Sequence, residues 1–153
     1  MHLRDILQSK GSHVYSIAPQ RSCANAVANM VHYGIGCLLV QAEPGTGSLL
    51  GIISERDILR VLAARQNSLD ELRVAAVMSQ LVVTAHPLTP ILAAMKTMTV
   101  HRIRHLPVLE DQQVCGIVSI GDLVKSHHDQ LELENHFMRH YIQGADADVH
   151  APS

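Results

Sequence analysis

Apolar and polar positions along the chain alternate between a helical and an extended pattern. Apolar side chains recur three and four positions apart within 23–31 and again within 91–98, a spacing that places them on one face of a helix. Gly34 follows the first of these segments and is typical of a helix end. A further helix is expected to begin at Ser54 and at Ser119. Short apolar runs predict strands at 37–40, 49–53, 106–109 and 114–118.

These elements occur twice because the sequence repeats itself. The segment 51–58, GIISERDI, returns as GIVSIGDL at 116–123, and VYSIAP at 14–19 returns as VVTAHP at 82–87. Each copy therefore predicts the order strand, helix, strand, strand, helix. A turn-rich loop, 41–48, is longer in the first copy, and surface loops absorb such insertions cheaply. Because one small unit leaves a face of its sheet bare, we expect two copies to pack sheet against sheet.

Composition narrows the class of protein further. With 153 residues, 47% of them hydrophobic, the chain has the material for a compact core. Twelve Lys and Arg against 14 Asp and Glu, with three Tyr and one Phe, offer neither the basic excess nor the stacking groups of a nucleic-acid-binding protein. Three cysteines without a CxxC pair, and no apolar run of about 20 residues, favour a cytoplasmic protein without a membrane partner.

Each copy carries a serine followed three residues later by an aspartate, Ser54 with Asp57 and Ser119 with Asp122. The simplest interpretation is a capping box at a helix N-terminus. The same groups also suit a ligand, because a helix N-terminus attracts phosphate and a carboxylate can accept hydrogen bonds from both hydroxyls of a ribose. The glycine three positions before each serine would let a ligand or a strand approach the backbone.

The doubled Gly-h-h-Ser-x-x-Asp motif, where h is apolar, resembles the signature of tandem cystathionine-β-synthase (CBS) domains, the Bateman module. The resemblance includes RIRHLPV at 102–108 and extends over about 1–128. It implies an α+β fold in which two βαββα repeats, 1–68 and 69–128, pack sheet to sheet about a pseudo-twofold axis. A C-terminal helix and tail, 129–153, would follow.

The resemblance also implies a regulatory protein that is not an enzyme. Such a protein would bind an adenine nucleotide or dinucleotide in clefts between its halves: AMP, ADP, ATP, NAD(H) or S-adenosylmethionine. It would act as a homodimer on a regulated protein that the sequence does not identify. An alternative is a structural dimerisation or interaction module without a small-molecule ligand, in which the repeated motif only caps helices.

Residue by residue, the resemblance assigns the ribose hydroxyls to Asp57 and Asp122, and phosphate or ribose contacts to Ser54 and Ser119. The other expected ligand-binding residues are Ser16, Ile17, Arg56, Thr84, Ala85, Arg104, His105, Leu106, Pro107 and Gly121. The second copy fits the family pattern better, because cations enter its strand at 102–105, where a phosphate could be met. A solvated strand end is an equally simple explanation for those cations. At the first site Arg56 or Lys10 would have to supply the charge.

Catalysis and metal binding have little support in the residues. The chain contains no nucleophile, base and orienting group in a known arrangement, and no phosphate-binding glycine loop. His136 and His140 are four residues apart, a spacing that can hold a metal, but no cysteine or suitably placed carboxylate accompanies them, so we assign no metal site.

The last part of the chain predicts one more amphipathic segment. Leu133, Phe137 and Tyr141 recur four positions apart and would form an apolar helix face, which could continue the helix begun at Asp122. We expect this face to pack on its own body or on a twin subunit, and the alternative is a surface for a partner protein. Beyond Gly144 the periodicity ends, and no regular structure is expected.

Overall fold

Two copies of one mixed α+β unit make up the fold. A computed structural model describes residues 1–64 and 68–149. The first copy contains α1 (Leu3–Lys10), β1 (Ser16–Ile17), α2 (Cys23–Tyr33), β2 (Cys37–Glu43), β3 (Thr46–Ser54) and α3 (Glu55–Ala64). The second contains α4 (Val74–Val77), α5 (Ile91–His101), β4 (His105–Glu110), β5 (Gln113–Ser119) and α6 (Ile120–Val149). The predicted fold class is confirmed.

The strands follow the predicted order, except that the first strand of the second copy is reduced to a single pairing. In the first copy β1 runs parallel to β2, and β2 pairs antiparallel with β3. In the second copy β4 and β5 form an antiparallel pair. The first strand expected there is only an isolated parallel pairing, in which Ala85 N donates to Pro107 O at 3.0 Å and Ala85 O accepts from Leu109 N at 2.8 Å.

The longer loop of the first copy is largely strand. The predicted bounds of this loop, 41–48, are wrong, because β2 continues to Glu43 and β3 begins at Thr46. Two register shifts, between Val40 and Gln41 and between Gln41 and Glu43, absorb the insertion within the hairpin. The extra residues therefore lengthen a surface ribbon and leave the buried part of the sheet unchanged.

The leading helix of each copy packs on the other copy. Leu3, Ile6 and Leu7 of α1 are buried in the core that α5, β4 and β5 build. Val74 of α4 is buried in the core of the first copy, with α2 and β2. This reciprocal exchange, together with the packing of β3 against β5, relates the halves as a pseudo-twofold axis requires.

Gly51 and Gly116 allow the leading helix of the other copy and the residues just after it to pack closely against the strands, because neither glycine has a side chain. A Cβ added at Gly51 would lie 2.8 Å from the carbonyl oxygen of Ser79 and 2.8 Å from the sulfur of Met78, just after α4. A Cβ at Gly116 would lie 2.7 Å from Cδ2 of Leu7 on α1. The sequence indicated a close approach at both positions, and the approaching group is the exchanged segment of the other copy.

The last helix is longer than the sequence indicated, and its apolar face is exposed to solvent. It continues from Ile120 to Val149, so regular structure extends past Gly144, contrary to expectation, and the expected boundary at 128 lies inside it. Residues 150–153 of the expected tail lie outside the described residues. Leu133, Phe137 and Tyr141 are exposed, Tyr141 by 77%, so this face does not pack on its own body. Among the described helices none is long and apolar enough to cross a membrane.

We predict that Gly51→Ala lowers the free energy of unfolding by about 1–3 kcal/mol, because the new methyl group would collide with the backbone of Ser79. Gly116→Ala should cost less, since the end of the Leu7 side chain can turn away. Urea denaturation measures both. Gly144→Ala on α6 is the control: its methyl group meets nothing within 4 Å, and it should be neutral or slightly stabilising. Equal stability of the Gly51 and Gly144 variants would contradict the close packing.

Candidate functional site

A cleft of about 250 Å³ lies at the junction of the two copies. Its walls are the end of β3 and the start of α3 from the first copy, and the segments 79–83 and 101–105 from the second. The pseudo-twofold packing thus places the Ser-x-x-Asp motif of one copy opposite the strand entry of the other. The lining residues that bear polar or charged side chains are Ser54, Glu55, Arg56, Asp57, Arg60, Ser79, His101, Arg102, Arg104 and His105.

The Ser54–Asp57 pair has the geometry of a helix cap. The backbone N and the Oγ of Ser54 donate to Oδ2 of Asp57 at 2.8 and 3.1 Å. The other carboxylate oxygen, Oδ1, lies 3.7 Å from Nη1 of Arg60, beyond hydrogen-bond distance. Asp57 therefore stabilises the start of α3, and Oδ1 retains acceptor capacity for a hydroxyl donor.

Positive charge predominates among the residues that line the cleft with this carboxylate. Four arginines line the cleft against two acids, Glu55 and Asp57. Nη1 of Arg56 donates to the carbonyl oxygen of Arg102 at 3.3 Å, so this guanidinium spans the two copies. Guanidinium groups recognise phosphate with paired, charge-assisted hydrogen bonds. A carboxylate within a cationic cleft is the arrangement that a phosphorylated sugar would need.

Two other titratable groups of the cleft are uncharged at neutral pH. Burial lowers the pKa of His105, only partly opposed by the carboxylate of Glu55, so the imidazole acts as a neutral hydrogen-bonding group. Burial, assisted by Glu55, raises the pKa of Cys37 to about 12. The Cys37 thiol is therefore not a nucleophile at neutral pH.

The second motif, Ser119 with Asp122, forms the same kind of helix cap, but a lysine lies beside its carboxylate. Ser119 N donates to Oδ2 of Asp122 at 2.8 Å, and Asp122 N donates to Oγ of Ser119 at 3.1 Å. Nζ of Lys10 donates to the same Oδ2 at 2.7 Å and to the carbonyl oxygen of Ile117 at 3.1 Å. Lys10, a candidate cation for the first site, is thus paired with the carboxylate of the second motif.

The basic segment lies between the two motifs. Arg104 and His105 line the cleft with Ser54 and Asp57 of the other copy. They also lie beside the motif of their own copy, because His105 pairs with Ser119 across β4 and β5 and the carbonyl oxygen of Arg104 accepts from Ile120 N at 2.9 Å. The junction of the copies thus places one strand entry next to both motifs.

The remaining predicted residues lie outside the cleft lining. Leu106 and Pro107 are fully buried in β4, and Ile17 is buried in the first core. Oγ of Ser16 accepts a hydrogen bond from Gly45 N at 3.0 Å. Near Thr84 and Ala85 the cleft is lined instead by Val82 and Val83, and Gly121 is exposed at the start of α6.

Sequence reasoning missed several residues that line the cleft, among them Arg60 and Leu81. Arg60 carried a readable signal, because it lies three positions after Asp57 on the predicted helix and therefore shares its face. Arg102, one of the cations expected at the strand entry, occupies the helix-end position that Gly34 holds in the first copy. The exposure of Leu81, which is 97% accessible beside the cleft, had no signal in the pattern.

The histidine pair on α6 stands apart from the cleft. The rings of His136 and His140 are 4.4 Å apart between centroids. In the described part of the chain, no three His, Cys, Asp or Glu side chains are grouped so that they could hold a metal. The structure adds no further ligand to this pair.

We predict that Arg102→Gly stabilises the fold while weakening anion binding in the cleft. Arg102 ends α5 in the left-handed conformation, with φ 54°, where Gly34 has φ 65°. A side chain in this conformation costs roughly 1 kcal/mol that glycine does not. Urea denaturation should show a gain of about that size, and titration with pyrophosphate should show a weaker Kd. Gly34→Ala is the matched control and should lose stability. A destabilised Arg102→Gly variant would contradict the backbone argument.

Comparisons with known proteins agree with this architecture. The sequence profile of the CBS domain matches residues 3–64 and 74–129. The chain is 34% identical over 150 residues to the mitochondrial CBS domain-containing protein CBSX3 of Arabidopsis thaliana, covering 93% of this chain and 72% of that protein. It is similar in structure to the CBS-domain containing protein ATU1752 from Agrobacterium tumefaciens, with a TM-score of 0.77 and 31% identity over 83% of this chain and 99% of that one.

A further solved structure that is similar to the chain is the hexameric CBS-CP12 protein from bloom-forming cyanobacteria. Its TM-score is 0.69 at 25% identity, and the match covers 81% of this chain and 66% of that one. Since the CBS profile matches most of the sequence in two successive segments, the chain belongs to the CBS domain family and carries two CBS domains in tandem.

Proposed function

We propose that the protein is a non-enzymatic regulator that binds an adenine nucleotide or dinucleotide in the cleft between its CBS domains and passes the bound state to a partner protein. The observation that carries this proposal is the carboxylate of Asp57 inside a cleft lined by four arginines. Oδ1 of Asp57 can accept from ribose hydroxyls, and the guanidinium groups can hold the phosphate.

The apolar part of the cleft supports the same ligand class. Ile52, Leu81, Val82 and Val83 line the cleft beside the charged residues. A flat, largely apolar base can bury its faces against such side chains, while a few polar groups fix the orientation of the ligand. A nucleotide thus matches both halves of the lining, whereas an inorganic anion would use only the arginines.

The chemistry of the cleft favours binding over catalysis. The thiol of Cys37 stays protonated at neutral pH, since the pKa of this group is raised to about 12. The hydroxyl of Ser54 donates to Asp57, whose carboxylate is already engaged in capping the helix through the backbone N of Ser54. Of the three free thiols, those of Cys23 and Cys37 are buried, which fits a reducing compartment such as the cytoplasm.

The second candidate function is a structural module without a small ligand. Both Ser-x-x-Asp motifs complete their helix caps within the chain, so neither needs a ligand to satisfy its hydrogen bonds. This candidate predicts that nucleotides leave the stability of the protein unchanged, which separates it from the first.

We predict that at least one of AMP, ADP, ATP, NAD, NADH and S-adenosylmethionine raises the Tm. A ligand at a hundred times its Kd stabilises the fold by about 2.7 kcal/mol, equivalent to roughly 5–10 °C for a chain of this size. Asp57→Asn should keep the cap, because the amide oxygen still accepts from Ser54 N, but weaken the shift by removing one acceptor. Asp129→Asn on α6 is the control and should respond as the parent does.

A flat response across all six compounds, with a parent protein that elutes without bound nucleotide, would favour the structural module. An equal response of the parent and the Asp57 variant would place the ligand elsewhere.

We further propose that the protein self-associates into a homodimer through α6. Its side chains Leu133, Phe137, Met138, Tyr141 and Ile142 are each more than half exposed and form a broad apolar surface on a helix that projects beyond the core. Exposed apolar surfaces of this kind are typical of interfaces. The hexameric cyanobacterial relative supports self-association as a property of similar proteins.

We predict that the parent protein has the mass of a dimer in sedimentation velocity and that Phe137→Glu shifts it toward the monomer, because a charge would be buried at the interface. The control Lys125→Glu changes an exposed position on the same helix, outside the apolar surface, and should leave the mass unchanged. A monomeric parent, or a dimer that tolerates the glutamate, would contradict the assignment of the interface to α6.

A further inference from the structure

The two Ser-x-x-Asp motifs cap their helices in the same way. They differ in the cation that lies beside the aspartate. At Asp57 the nearest cation is Arg60, 3.7 Å away with a side chain that is 76% exposed. At Asp122 the ammonium of Lys10 donates at 2.7 Å. The same ammonium donates to the carbonyl oxygen of Ile117, so it bridges β5 and α6.

The exchange between copies explains this difference. Leu7 of α1 packs on Gly116 as Met78 packs on Gly51, which makes these two residues counterparts. Three residues further along each segment are Lys10 and Leu81. Lys10 is still within its helix and reaches Asp122, whereas α4 has already ended at Val77 and Leu81 is almost fully exposed beside the open cleft.

We propose that Lys10 closes the second nucleotide site, so that each chain takes one nucleotide, at Asp57, and Lys10 is the residue that sets this stoichiometry. This inference rests on the proposed function. The ammonium holds the Oδ2 atom of Asp122 and the Ile117 carbonyl at once, directly beside the motif. A nucleotide that binds this carboxylate would have to fit beside an ammonium that already donates a charge-assisted hydrogen bond to it.

The ionisation of Asp122 is consistent with an intact ion pair. Burial raises the pKa of this carboxyl, but the hydrogen bonds from Lys10 and Ser119 outweigh burial and leave the pKa below its usual value. A lowered pKa in the folded state means that the pair contributes stability above the unfolded value of about 3.9 and loses it as the pH falls through the folded value. At neutral pH the Asp122 carboxylate is therefore ionised and paired with Lys10.

Lys10 could also have the opposite role and bind the ligand, and this role predicts a different result. If the side chain turned from Asp122 to the phosphate of a bound ligand, it would recruit the nucleotide and both sites would fill. Removing the ammonium would then weaken the second site, whereas our proposal requires that removing it opens that site.

Isothermal titration with AMP, and in parallel with NADH, distinguishes these roles. We expect one equivalent per chain for the parent and two for Lys10→Met, a change that keeps the length of the side chain and removes its charge. Adding Asp122→Asn to Lys10→Met should return the value to one. Lys96→Met, at an exposed position on α5, is the control and should stay at one.

A measurement without ligand tests the contact itself. In a carboxyl NMR titration, the pKa of Asp122 should rise in Lys10→Met and stay unchanged in Lys96→Met. Two equivalents for the parent, or one for Lys10→Met with the pKa raised, would overturn the proposal. Binding by Lys10→Met alone would support the closed second site and refute the proposed site at Asp57. No binding by either protein would overturn both proposals.

Discussion

The reciprocal packing of α1 and α4 is the constraint on which the rest of the structure depends. Each helix fills the core of the half to which it does not belong, with Leu3 and Leu7 in one direction and Val74 in the other. Gly51 and Gly116 lack the side chain that would keep these segments apart. Neither copy completes its core alone, so the two CBS domains are expected to fold as one cooperative unit.

The same exchange of helices creates the cleft and gives the two Ser-x-x-Asp motifs different neighbours. Crossing the copies places Arg102 and Arg104 of the second copy opposite Ser54 and Asp57 of the first. Because α1 is two turns long and α4 only one, a cation reaches the second motif and an exposed leucine borders the first. A pseudo-symmetric scaffold thereby acquires one carboxylate that lines the cleft and one that is paired with a lysine.

The repeat, the fold class and the helix starts were readable from the sequence because they depend on local spacing. The partners of the motifs were not, since a repeated sequence invites pairing each motif with its own copy, and the exchange is set by tertiary packing. For this reason the sequence did not indicate that Arg102 and Arg104 lie opposite Asp57, or that Lys10 reaches Asp122. The length of α6 was also underestimated, because the apolar periodicity ends at Ile142 while the helix continues to Val149.

The most direct test of the central claim is amide NMR mapping of the protein with AMP. The account predicts chemical-shift changes that concentrate at 54–57 in one CBS domain and at 79–83 and 101–105 in the other, since the site is shared between the copies. Changes confined to one copy, or centred on α6, would contradict a nucleotide site built at their junction.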